Sequence, residues 1–236
     1  MSSIDPISKT DDLIFRCGTD LPCFNMCCRG LNQTITGYDI LKISRFKNIS
    51  TQKFLVAYSF SYTGKQTGMP VVSLFEKPEK DNACIFLDDS GCSIYDARPL
   101  ACRLYPAARG ISKDKRTGKL KEHFAIINED HCEGFGLGSS MTIAQWIEDQ
   151  GAHDYIEAND FFMQLVLDLG EKGIKPDKNQ KELILSGCYN LDLFLEKVIS
   201  GSIDNTGMPA PEELKNNDLL LFKTGVQWTR DQLLKI

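Results

Sequence analysis

The 236-residue sequence predicts an α+β fold, rich in helix, with an irregular cysteine-rich core, a few short strands and a C-terminal helical cap. Three observations lead there. Eight of the nine cysteines fall within the first 132 residues, in stretches punctuated by Gly18, Pro22 and Gly30. Two short runs of β-branched and aromatic residues, Val71 to Phe75 and Phe124 to Ile127, have strand character. After Cys132 the apolar residues recur at helical spacing.

Taken in order, residues 11–35 read as loop. Thr36 begins a helix, because Asp39 stands three residues on and can complete a capping box, with Ile40, Ile43 and Phe46 following at helical spacing. Ser50 caps a second short helix that carries Phe54 and Leu55. Lys113 to Lys121 reads as an exposed turn between strands, with Thr117 and Gly118 at its tip. Gly134, Gly136 and Gly138 read as a turn ahead of a helix capped by Thr142 and Gln145. Phe161, Phe162, Leu165, Val166 and Leu169 make one helical face ending at Gly170. Leu183 to Val198 reads as a further helix, and Pro211-Glu212-Glu213 as the first turn of a last one. The expected division is a cysteine-cluster metal-binding domain at 1–138 and a helical cap packed on it at 139–236.

Composition narrows the function classes. The chain is 42% hydrophobic and 25% charged, with formal net charge −5 and pI about 5.3, which argues against a surface for nucleic acid. The N-terminal residues show no basic segment followed by an apolar one, and apolar runs such as Phe54 to Tyr58 are core-sized, so no membrane association is expected. The expected location is the cytoplasm, a reducing compartment where clustered cysteines bind metal or do chemistry more often than they pair.

The cysteines are grouped as Cys17-x5-Cys23-x3-Cys27-Cys28, then Cys84-x7-Cys92-x9-Cys102, with Cys132 closing the set. Close spacing lets several soft sulfur ligands reach one ion without a large closure entropy. These eight are the candidate metal ligands. Their spacing is not the short pairing of zinc fingers, and the side chains of the adjacent Cys27 and Cys28 diverge in most backbone conformations. Two four-ligand sites, a polynuclear centre, and one four-ligand site with reactive spare thiols all remain open. Arg16, Arg29 and Arg103 adjoin cysteines, and Arg98 lies four residues before Cys102. Arg98 and Arg103 are the candidates for contact with a bound cofactor, since a guanidinium offers fixed charge and several donors. His131 reads as a surface or supporting residue, Tyr105 as packing over the site, and Cys188 as a small buried hydrophobe.

The strings Phe15-Arg16-Cys17, Pro22-Cys23-Phe24-Asn25-Met26-Cys27-Cys28-Arg29 and Arg98-Pro99-Leu100-Ala101-Cys102-Arg103-Leu104-Tyr105-Pro106 are similar to those of the YkgJ-type cysteine cluster family. That family is described as a zinc- or iron-chelating domain with a CxxCxxCC motif, and the likeness spans about residues 13–150. This chain has x5 and x3 where the motif has x2 and x2. Flagellin lysine N-methylases carry a similar pattern with an iron–sulfur cluster. The resemblance implies a metal-binding protein with an iron–sulfur cluster in a redox or accessory enzymatic role. Its alternatives are a structural zinc module and a protein lysine N-methylase-like enzyme, so oxidoreductase and methyltransferase-like activities both stay open. The expected partner is a protein or redox partner, not nucleic acid.

Overall fold

A computed structural model describes residues 3–114 and 116–234. The α+β expectation holds: helices of up to 19 residues mix with short strands that pair antiparallel throughout the described residues. The chain forms two compact units, Met1–Leu31 with Glu76–Ile156, and Asn32–Phe75 with Glu157–Ile236. None of the described helices is long and apolar enough to cross a membrane.

The first unit is built on a three-stranded sheet in the order Ser3–Ile7, Leu120–Asn128, Ala107–Lys113. The expected strand at Phe124 to Ile127 is its centre. The expected turn after Lys113 is a hairpin shaped by Asp114, whose carboxylate accepts from the Arg116 and Thr117 N–H groups at 3.0 and 2.7 Å and from the Thr117 hydroxyl at 2.9 Å. Lys115, within that turn, lies outside the described residues.

Two expectations change in this unit. Asp12–Phe15, read as loop, is a strand paired with Phe135–Thr142. Only Leu13 and Phe15 point inward along it, too few for alternation to stand out in the sequence. Of Gly134 to Gly138, read as a turn, only Gly134 precedes that partner strand and the other four residues open it. The register shifts between Phe135 and Ser140, and Gly136 and Gly138 supply φ values of 76° and 90° for the bulge.

The core of the unit gathers around Phe15, whose ring meets Phe135 at 5.3 Å, Trp146 at 5.8 Å and Tyr105 at 6.1 Å between centroids. Each such pair contributes about 0.5–1.5 kcal/mol beyond area burial. The Trp146 indole N–H donates to the Leu104 carbonyl at 2.9 Å. The capping box of Thr142 and Gln145 starts the helix Ile143–Asp149 that carries this tryptophan.

In the second unit the Thr36–Asp39 box opens Gly37–Lys47 and Ser50 caps Thr51–Tyr58, both as expected. Ile40 and Ile43 are buried, whereas Phe46 is half exposed. Pro70–Leu74 is the central strand between Thr34–Ile35 and Ser59–Thr63. The helix His153–Glu171 carries the Phe161 to Leu169 face, and Pro211–Asn216 forms where expected.

The helix expected at Leu183 to Val198 is interrupted. Lys178–Ile184 runs into a π-turn at Leu185–Tyr189, and a new helix begins at Leu191–Ser200. Tertiary contacts impose the break. Asn190, at the junction, accepts from the Thr51 hydroxyl at 2.9 Å and donates to the Gln52 side chain. A Cβ on Gly187 would lie 2.1 Å from the Thr229 hydroxyl, and one on Gly37 would lie 1.6 Å from the Cys188 carbonyl, so backbone packs on backbone here. No apolar periodicity encodes such contacts.

Candidate metal centre

All eight candidate cysteines lie in the first unit and Cys188 lies in the second. None of the nine is in a disulfide. Cys188 is fully buried, as expected for a small hydrophobe, and burial pushes its thiol up to about 12.

Strand pairing brings the first cysteine loop against the closing one. The Arg16 N–H donates to the Gly134 carbonyl at 3.1 Å, next to the pairing of Phe15 with Phe135. A Cβ on Gly134 would lie 2.4 Å from the Arg16 carbonyl, so glycine is required for this approach. Beyond Cys17 the loop places Cys23 so that its sulfur accepts the Glu133 backbone N–H at 3.3 Å. Asn25, at φ 66°, then turns the chain into the short 3₁₀ turn Met26–Cys28.

The first loop is also tied to the second cluster. Gly30 donates to the Asn82 carbonyl at 3.0 Å, Arg29 forms a β-bridge with Ala83, and the Arg29 guanidinium donates to the Lys80 carbonyl at 2.7 Å. Cys84 pairs with Glu76, and Cys92 closes the hairpin of Leu87–Asp88 with Gly91–Cys92. The Ser93 N–H and hydroxyl both donate to the Phe86 carbonyl, at 2.9 and 2.8 Å. Against burial, the nearby backbone of Phe86, Ile94 and Gly18 draws the thiols of Cys84, Cys92 and Cys17 back towards thiolate. Backbone donors to sulfur stabilise thiolate and, in a cluster site, raise the potential.

The electrostatics join the eight thiols into one set. Burial raises Cys17, and the nearby thiols of Cys27, Cys23 and Cys132 raise it further. The neighbouring Cys28 thiol holds Cys27 below its ordinary value, and Cys27, together with burial and the proximity of Cys102 and Cys92, pushes Cys28 far up. Burial likewise raises Cys84, which the Cys92 thiol raises further, and Cys92, which the Cys27 thiol raises further. Among the described residues no three His, Cys, Asp or Glu side chains are drawn together tightly enough to hold an ion. The thiols are thus neighbours in charge rather than a closed coordination shell. As donors they suit a thiophilic metal: soft, mostly half-buried, unpaired by disulfides and, at Cys23, met by a backbone N–H.

The two candidate arginines differ. Arg98 stacks on the Tyr95 ring at 4.0 Å, donates to the Tyr95 carbonyl at 2.8 Å, and its charge opposes the burial effect at Cys92. Arg103, only 8% exposed, binds the chain itself. It donates to the carbonyls of Arg98 at 3.0 Å, Gln150 at 2.9 Å and Asp96, and lies over the Tyr155 ring at 4.4 Å. It thereby fixes the segment bearing Cys102.

Tyr105 touches the site, as its sequence position suggests. Its hydroxyl donates to Glu129 at 2.8 Å, and burial followed by hydrogen bonds to Cys132 and Glu129 push its ionisation well above the usual value. His131 Nε2 is buried, 3.5 Å from the Glu129 carboxylate and without a hydrogen-bond partner. Sequence reasoning missed Glu129, whose only signal is its place three residues before Cys132. The backbone donor of Glu133 has no side-chain signal at all.

Residues 16–133, half of the chain, match the CxxCxxCC family model, described as a "putative zinc- or iron-chelating domain". That span contains all eight cysteines of the cluster. Over 114 residues the chain is 33% identical to an uncharacterised protein of Methanocaldococcus jannaschii, a stretch that covers 48% of this chain and 55% of that protein. The chain therefore spans about half the length of this curated relative. No solved structure matches the chain. With its grouped thiols inside the matched span, the chain belongs to the CxxCxxCC family and carries its metal-binding cysteine domain.

Proposed function

We propose that the first unit holds an iron–sulfur centre and serves a redox or accessory enzymatic role in a reducing compartment such as the cytoplasm. The observation that carries this reading is the gathering of all eight clustered thiols in one unit, with the Cys23 sulfur accepting the Glu133 backbone N–H at 3.3 Å across 110 residues of sequence. Eight thiolates exceed the needs of one tetrahedral ion. Two zinc ions on all eight would leave a formal charge of about −4 in a half-buried site. An oxidised four-iron cluster on four thiolates carries about −2, which the Glu133 N–H and the Arg98 charge offset more readily. Cys17, Cys23, Cys27, Cys28, Cys84, Cys92, Cys102 and Cys132 form the ligand pool. Bound there, a cluster supplies one-electron transfer or substrate activation. The chain's own contribution is to orient the sulfurs through the strand pairing at Phe15 and Phe135, and to anchor Cys102 through Arg103.

A structural zinc module is the second reading. It is favoured by one feature: the short strand pairings of Glu76–Lys77 with Ala83–Cys84 and of Leu87–Asp88 with Gly91–Cys92 hold Cys84 and Cys92 on neighbouring turns, as a closed four-sulfur zinc site also requires. Purification without oxygen, followed by iron, zinc and acid-labile sulfide analysis, separates the two. Iron with matching sulfide supports the proposal, zinc without sulfide supports the second reading, and a protein that takes up neither metal contradicts both.

A further inference from the structure

A cleft of about 380 Å³ opens within the second unit, which carries none of the eight clustered cysteines. That volume lies within the range of small-molecule sites, about 300–1,000 Å³. Its walls are apolar, formed by Leu55, Val72, Leu185 and Leu193. One side is the π-turn Leu185–Tyr189, a geometry that recurs at functional sites.

Most polar groups of the lining are already engaged. Asn190 and Gln52 bond each other, the Ser59 hydroxyl donates to the Leu55 carbonyl at 3.0 Å, and the Ser186 hydroxyl accepts from the Lys197 ammonium at 2.9 Å. Glu182 is the one formally charged side chain in the lining, and it makes no ion pair among the described residues. Phe60, also in the lining, is 41% exposed and stacks with Phe75 at 5.8 Å and Tyr62 at 6.1 Å between centroids. A carboxylate and a partly exposed aromatic ring lining one cleft, over apolar walls, suit an organic cation: the ring and the carboxylate attract positive charge, and the walls take an apolar body. The Lys197 ammonium is the opposing charge nearby, and it is held on Ser186.

We propose that this cleft binds a small organic ammonium with an apolar or aromatic body. The test titrates the full metal-loaded chain with phenethylamine, phenethyl alcohol and phenylpropionate, which share a body and differ in charge, and follows backbone amide shifts by NMR. The expected result is saturable shifts with phenethylamine centred on Leu55, Phe60 and Leu185, binding about tenfold tighter than the alcohol, and weakest binding by the carboxylate. Glu182→Gln, at an exposed position that leaves the fold intact, should bring the amine down to the affinity of the alcohol, and Phe60→Leu should weaken it further. Absence of saturable shifts, equal binding of amine and carboxylate, or an unchanged affinity in Glu182→Gln would overturn the proposal.

Discussion

The backbone N–H of Glu133 donates to the sulfur of Cys23 at 3.3 Å, joining residues 110 apart in sequence. That bond closes the cysteine region on itself. It forms because Asp12–Phe15 pairs with Phe135–Thr142 and because Gly134 lets the two backbones approach. The thiolate set is therefore a product of strand pairing, and its cysteines should respond as a set.

Cys23→Ser replaces a soft sulfur by a hard, mostly protonated oxygen, which binds iron or zinc poorly. The expected outcome is a loss of most bound metal, with Cys27→Ser and Cys28→Ser behaving alike. Cys188→Ser, changed in the second unit, should keep its full metal content. Metal-to-protein ratios measured after anaerobic purification check this, and full retention in Cys27→Ser and Cys28→Ser would move the site onto the other six cysteines.

Chelation should loosen one unit selectively. Thiolate binding energy is folding energy where the coordination shell is not closed beforehand, and here the thiols are near one another without forming such a shell. Hydrogen exchange after metal removal is expected to rise across 12–31 and 76–135, with 36–58 and 178–233 much less affected. Equal loss in both would mean that the two units unfold as one.

Arg103 should matter more for stability than a surface arginine does. A lysine ammonium in its place could not reproduce the fork of donors to the carbonyls of Arg98, Gln150 and Asp96. Arg103→Lys is expected to cost about 3 kcal/mol, since bonds to a charged group contribute about 1.5–3 kcal/mol each and a lysine keeps some of them. Urea denaturation of both proteins measures it. Arg16→Lys, at the exposed pair with Asp20, should leave the denaturation midpoint where it is, because solvent screens that pair.

Capping boxes, the hairpin at Asp114 and the central strands were legible because they follow from local rules: a side chain three residues from its partner, a turn residue, a β-branched run. The break at Leu185–Tyr189 was not, since it depends on Gly187 meeting Thr229 and on Asn190 reaching Thr51. The candidate site divides the same way. Cysteine grouping named the ligand pool, whereas the anchoring of Arg103 on the Gln150 carbonyl and the Glu133 N–H on Cys23 emerge only when distant segments meet.

Cys188 supplies a pH prediction free of the metal. Its thiol is raised from an ordinary 9.0 to about 12 by burial, so the folded chain holds this proton more tightly than the unfolded chain does. The stability it contributes is fully present below about pH 9 and is lost as the pH rises towards 12. Unfolding free energy followed from pH 8 to 11 should fall more steeply in the native sequence than in Cys188→Ala, with other alkaline titrations common to both. Parallel slopes would mean that the thiol ionises in the folded state as readily as in water.

X-ray absorption at the metal edge of anaerobically purified protein tests the central claim most directly, because it reads the atoms around the metal themselves. The expected spectrum is an iron edge with a first shell of sulfur and a second shell of neighbouring iron, diminished together in Cys23→Ser. A shell of nitrogen and oxygen, or a zinc edge with four sulfurs at about 2.3 Å and no metal neighbour, would contradict the iron–sulfur account.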